Sequence, residues 1–123
     1  MRHPHGRPAQ QKTETFTGTV WFDPLLPPTD DVAVNNVFFP PKARTHWHSH
    51  ENGQYLHVVA GTGLVCSDGG DPQPIAAGDA VWVPAGERHW HGATSEGFLL
   101  HTAVSLGTTS WADAVTDTDY ERG

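Results

Sequence analysis

Thirteen glycines and ten prolines are spread over 123 residues, and they cut the apolar sequence into short runs rich in Val, Phe, Trp, Leu and Thr. A chain punctuated this often has room for many short strands and turns, so an all-β fold is expected. Its length suits one domain around one core. Strands are predicted over Phe16–Phe22, Val32–Phe39, Thr45–His50, Gln54–Val59, Gly63–Ser67, Ala80–Val83, His89–Gly92 and Phe98–Val104. Turn sequences bound them: ENG at 51–53, AGTG at 60–63, SDGGDPQP at 67–74, AAGD at 76–79, PAGER at 84–88 and TSEG at 94–97. The DPLLPPTDD run at 23–31 is expected as a proline-stiffened loop, and Pro40-Pro41 cannot continue a central strand. Segments this short, with no helical periodicity between them, predict a sandwich or barrel that curls to hide its edges. Residues 1–13 are polar and rich in Pro and Gln, which predicts a flexible arm ahead of a single domain over 14–123. From Ser110 onward a short helix or strap is expected, anchored by Trp111 and Tyr120.

Charge and cysteine content narrow the function classes. Acidic residues outnumber Lys and Arg by 14 to 7, and no basic cluster is long enough to follow a phosphate backbone, so nucleic acid is a poor partner. No apolar stretch approaches the roughly 20 residues of a membrane span. The opening MRHPHGRPAQQ lacks the apolar centre of a signal peptide, and a cytoplasmic location is the expectation. Cys66 is the single cysteine, which rules out an intrachain disulfide and a thiolate metal cluster and leaves it as a small buried hydrophobe.

The nine histidines are unusual for this length, and their placement says more than their number. His46, His48 and His50 alternate along one predicted strand and His89 and His91 along another, so each set is expected to share a face. Imidazoles crowded against an apolar interior are costly unless satisfied, and one metal ion satisfies several at once. Two histidines at alternate positions can occupy adjacent coordination sites, with a further ligand from a neighbouring strand. His46, His91 and His101 are candidates for orienting a ligand or moving a proton. His57 should point out of the barrel, because Gln54 inward puts Leu56 and Val58 inward. Asn35 and Val37 alternate on the second strand.

Two stretches carry a resemblance. His48-Ser-His50, three residues, Gln54, six residues, Gly61 is similar in spacing to the first cupin motif, with Gln in place of Glu and Lys42 in place of its opening Gly. Gly78, five residues, Pro84-Ala-Gly86, two residues, His89 is similar to the second, with Ala93 in place of its final Asn. The chain thus resembles the cupin superfamily over roughly residues 15 to 105, with a 16-residue segment, Thr62 to Ala77, between the motifs. The resemblance implies a jelly-roll β-barrel of two antiparallel sheets with His48, His50, Gln54 and His89 as metal ligands. Replacing a carboxylate by the neutral amide of Gln54 would leave the ion a stronger Lewis acid and hold it more weakly. Three imidazoles and one oxygen suit Mn(II), Fe(II), Co, Ni or Zn, and the resemblance puts Mn(II) first and Fe(II) next.

The strings FTGTVWFDPL, ARTHWHSHENGQ and GDAVWVPAGERHWHGAT further resemble a group of small bacterial cupins that includes the manganese-dependent hydroxynitrile lyases. That likeness implies cleavage or formation of cyanohydrins, with His101 as proton acceptor and His91 beside it. Fold and metal site do not fix a reaction. Oxygen-dependent cleavage of a C=C or C–C bond, and a non-catalytic metal- or ligand-binding role, remain the other readings. The expected partners are a small-molecule substrate and a second copy of the chain, in a homodimer or larger homo-oligomer. Phe98, Leu100 and Val104 would form an outward apolar stripe if His101 faces inward.

Overall fold

In a computed structural model that describes residues 1–122, the chain forms two antiparallel sheets that share their longest strand. In order, the strands are β1 (Gln10–Lys12), β2 (Phe16–Thr17), β3 (Val20–Thr29), β4 (Val32–Phe39), β5 (Arg44–Thr45), β6 (His48–His50), β7 (Gln54–Ser67), β8 (Gln73–Ala76), β9 (Ala80–Val83), β10 (His89–Ala93), β11 (Leu99–Leu106) and β12 (Thr109–Trp111). A short helix, α1 (Asp117–Tyr120), follows. One sheet pairs β1, β3, β4, β11, the first part of β7, and β9. The other pairs the second part of β7 with β8 and β10, and β10 in turn with β5 and β6. This is the two-sheet jelly-roll barrel that the turn spacing and the motifs predict. No helix among the described residues is long and apolar enough to cross a membrane.

The long strand β7 joins two segments expected as separate strands. AGTG acts as a corner within the strand: Gly61 has φ of 84° and a Cβ there would overlap the Phe98 carbonyl oxygen, so only glycine fits the turn between sheets. The opposite happens at Thr45–His50, where a bend at Trp47 divides the run into β5 and β6. The proline-rich 23–31 run is largely strand as well. Pairing of β3 with β4 extends to Thr29, while β1 covers its other side only as far as Phe22. Pro24, Pro27 and Pro28 therefore lie beyond the stretch where β1 needs their missing N–H groups, and the register with β4 slips on either side of Leu26. Within the segment expected as a flexible arm, Gln10–Lys12 pairs as β1.

Two apolar clusters hold the sheets. Phe16, Val20, Val37, Phe39, Val58 and Leu99 fill the space between them, and full burial of Phe39 or Leu99 is worth about 2–3 kcal/mol each. Trp47, Cys66, Trp90, Val115 and Tyr120 form the second cluster, where the C-terminal segment packs against the outside of the second sheet. Arg44 fastens that segment, donating from Nη2 to the Val115 carbonyl and to Asp117 Oδ1 at 2.8 Å each. Tyr120 donates its hydroxyl to the Ala93 carbonyl at 2.6 Å. The tail thus is strand, strap and one helical turn, and Tyr120 anchors it. On the outer face of the first sheet Trp21, Phe38, Tyr55, Trp82 and Phe98 are exposed, with Phe38 and Phe98 stacked 5.6 Å apart. His57 is exposed on this face too.

Candidate metal centre

Strand alternation puts the side chains of His48 and His50 on one face of β6, and both are buried. His89 on β10 is paired directly opposite His48, so their ring centroids come within 4.2 Å. One nitrogen of each of these histidines is held from behind. His48 Nδ1 donates to the His46 carbonyl at 2.9 Å, His89 Nδ1 donates to the Glu87 carbonyl at 2.9 Å, and His50 Nδ1 is bonded to Thr109 Oγ1 at 3.0 Å. Anchoring Nδ1 fixes each ring, and where the anchor is a carbonyl, as for His48 and His89, it leaves the Nε2 lone pair to face the cluster, the arrangement typical of metal-binding imidazoles.

The fourth group, Gln54, is buried at the start of β7. Its Nε2 donates to Ser105 Oγ at 3.0 Å and its Oε1 lies 3.1 Å from His89 Nε2. With His89 Nδ1 already donating, that contact sets two lone pairs against each other. A shared cation reconciles them. His50 Nε2 is also buried without a hydrogen-bond partner, and ligand atoms of His48, His50 and His89 all lie within 4.8 Å of one another. Three imidazole donors and an amide oxygen so disposed fit a divalent transition ion.

The electrostatics favour the same occupant. Burial, then repulsion from His89, lowers His50 from 6.5 to about 4, with the neighbouring Gln54 partly opposing the shift. Burial and the charge of His89 bring His48 well below the ordinary value, and burial lowers His89. At neutral pH these rings carry no proton on the nitrogen a metal would use.

Next to this cluster lies a second pair. His91 on β10 and His101 on β11 are both buried, and His101 Nε2 is 3.0 Å from His91 Nδ1. Their outer nitrogens, His91 Nε2 and His101 Nδ1, are buried without partners. Burial lowers His101 to about 4, and burial followed by the charge of His101 pushes His91 well below its ordinary value. The β7–β11 register shifts beside His101, with Val59 as the extra residue on β7, while β11 itself stays in regular register with β4. Below it Ala103 and Ser105 follow His101 at alternate positions on the same face.

His48 and His50 of the first group and both members of the second line one cavity of about 110 Å³. Gln54, Thr45 and Thr109 complete its polar wall, while Phe16, Phe22, Val37, Ala103 and Trp111 make the apolar one. Trp111 is 42% exposed and covers the His48 ring at 4.7 Å, with its edge toward Phe16 at 5.7 Å.

The structure brings His48, His50, Gln54, His89, His91 and His101 together, but not His46. The bend at Trp47 breaks the alternation, so Thr45 rather than His46 shares the cavity wall with His48 and His50. His46 contributes its backbone instead, through the carbonyl that holds His48. Asn35 and Val37 do border the cavity. Thr109, Trp111 and Ser105 are additions. Ser105 could have been found from the parity of β11 counted from His101; Thr109 and Trp111 lie beyond the Gly107 turn, where parity is lost.

A model of the cupin domain matches residues 35–103. The curated (R)-mandelonitrile lyase of Granulicella tundricola is 43% identical over 113 residues, which is 87% of this chain and 86% of that protein. Among solved structures, a cupin-like protein from Thermotoga maritima superposes with a TM-score of 0.89 at 34% identity, covering 94% of this chain and 93% of the other. The polyketide cyclase RemF from Streptomyces resistomycificus shares the fold alone, with a TM-score of 0.75 at 17% identity over 98% of this chain and 91% of its own.

Proposed function

The chain belongs to the cupin-domain family, and on that premise we propose that it is a metal-dependent lyase that cleaves or forms small cyanohydrins. His48, His50, Gln54 and His89 hold the ion in this reading, with Mn(II) the first choice and Fe(II) the next. When bound, such an ion supplies Lewis acidity toward a substrate oxygen. The chain provides no anionic donor among these four groups, so nothing in the donor set offsets that acidity. His101 takes the hydroxyl proton of the cyanohydrin at its free Nδ1. As it does so the bond from carbon to the nitrile carbon breaks, leaving an aldehyde or ketone and cyanide, which leaves as HCN with the proton. His91 steadies the His101 ring through their shared hydrogen bond, and its own free Nε2 lets a proton taken at one end of the pair be given up at the other. The apolar wall of Phe16, Phe22 and Trp111 excludes water and receives the hydrocarbon part of the substrate.

One observation carries this reading: a buried histidine pair with both outer nitrogens unpartnered lines the same small cavity as His48, His50 and Gln54. The 43% identity to a protein named (R)-mandelonitrile lyase supports the substrate class. The test is a nitrogen-purged assay of the Mn(II)-loaded protein with mandelonitrile, following benzaldehyde and cyanide release. Turnover without oxygen is expected. Inertness under nitrogen together with oxygen uptake on an alkene or diketone would replace the lyase with a dioxygenase.

The proposal includes a homodimer. The exposed aromatic face of the first sheet, with Trp21, Phe38 and Phe98 in one patch, is the surface best suited to a second copy. Light scattering should give about twice the 13.4 kDa chain mass, and a monomer would refute it.

A further inference from the structure

We propose that Trp111 is the gate of this cavity: its indole stands between the histidines and the outside, and how far it turns aside sets the size of substrate admitted. This deepens the reading above, in which the cavity takes the substrate. Among the described residues that line it, Trp111 alone is exposed, at 42%. With Phe22 it also lines an outer groove, whose remaining wall is the segment 11–15. The two rings therefore form the partition between that groove and the histidines. Phe16 packs edge to face with both, 5.5 Å from Phe22 and 5.7 Å from Trp111.

The backbone and the side chain of Trp111 are held very differently. On β12 the residue is the register partner of His48, which brings its ring to the cavity face of the strand pair. Just beyond it, Ala112 N donates to the Trp47 carbonyl at 2.8 Å and Trp47 N to the Asp113 carbonyl at 2.9 Å. The main chain is thus pinned on both sides, while the indole leans on the rings of His48 and Phe16 and keeps its outer side in solvent. Rotation of the side chain opens the partition without moving the strap, and an exposed side chain turns far faster than an enzyme turns over. The opposite end of the cavity has no such device. Ala33, Ser105 and Thr109 form the wall there, none of them exposed, and the groove beyond carries Asp30 and Asp31 and no aromatic ring. An aryl cyanohydrin meets ring surface along the route past Trp111, Phe22 and Phe16, and two carboxylates along the other.

Access is read by alkylating the metal-free protein with p-bromophenacyl bromide, an aryl reagent for imidazoles, and with the smaller iodoacetamide. The rate at His101 is followed by peptide mass spectrometry, with the exposed His57 as internal standard. Trp111→Ala should speed the aryl reagent at His101 several-fold and iodoacetamide less, with Trp111→Phe between. Thr108→Trp, which adds an indole to the groove beyond the opposite end, should slow neither reagent. Equal gains for the two reagents would mean that the strap has loosened, and would overturn the proposal. So would no gain, or slowing by Thr108→Trp. In the Mn(II)-loaded protein, Trp111→Ala should raise kcat/KM for the 2-naphthyl analogue relative to mandelonitrile by roughly 10-fold. An unchanged ratio would overturn the role of Trp111 in selection. If the wild type cleaves neither cyanohydrin, the lyase reading fails by itself, and the alkylation rates still decide whether Trp111 is the gate.

Discussion

The two groups of buried histidines in this barrel are built from the same side chain and treated in opposite ways. In His48 and His89 Nδ1 donates to a backbone carbonyl, which commits each ring to offering Nε2, and in His50 Nδ1 is seated on the Thr109 hydroxyl. In His91 and His101 the tie is to each other, and one nitrogen of each ring is left without a partner. A ring whose second nitrogen is bound to a fixed acceptor has one tautomer and one job. A ring bound to another imidazole can exchange tautomers with it, since either may be the donor. What separates the proposed ligands from the proposed proton carriers is the partner behind the ring, not its burial, which is nearly complete in both groups.

Substitutions should expose this division, most strongly in the committed group. His48→Ala, His50→Ala or His89→Ala removes one of few strong donors, and each should strip most of the metal, as read by elemental analysis of the purified variant. Full occupancy in any of them would erase the distinction. His101→Ala should do the reverse, keeping metal content while lowering turnover by roughly 100-fold or more, the usual share of a positioned base. Thr109→Val sharpens the comparison by freeing His50 without removing it. Losing its anchor should cost roughly 10-fold in metal affinity, measured by competition with a chelating dye, while His101 chemistry in the metal-saturated protein changes little.

The smallest effect is common to both groups. His50 and His101 titrate near 4 in the folded chain against 6.5 for a free imidazole. Between those values the unfolded chain binds more protons, so stability is complete above about pH 6.5 and declines as the pH falls toward 4. The melting temperature of the metal-free protein should therefore drop by several degrees between pH 7 and pH 5. A flat profile would show that the two rings take up protons in the folded chain as readily as in the unfolded one.

Strand parity made much of this legible in the sequence. His48 with His50, and His89 with His91, share faces as alternation requires, and the motif spacings located the barrel that brings β6, β7 and β10 together. Parity fails where the backbone leaves the regular strand. The bend at Trp47 turned His46 away, and nothing in THWHSH signals it. The 23–31 run escaped because proline opposes a strand only where its N–H is needed, and pairing partners are invisible in one sequence. The oxygen behind each ligand was the least legible part. Two are backbone carbonyls, which any residue has, and the third belongs to Thr109, 59 positions from the ring it holds.

That distance has a consequence for the order in which the site comes into being. His50 is seated by Thr109, His48 is roofed by Trp111, and the strap carrying both is fastened by Arg44 to Val115 and Asp117. A nascent chain emerging from the ribosome displays its imidazoles long before it has made their seats. Until the strap has docked, His50 lacks its seat and His48 its cover, while the carbonyls behind His48 and His89 are already at hand two residues away. The cluster is therefore finished from the far end of the chain, by the segment that is made last.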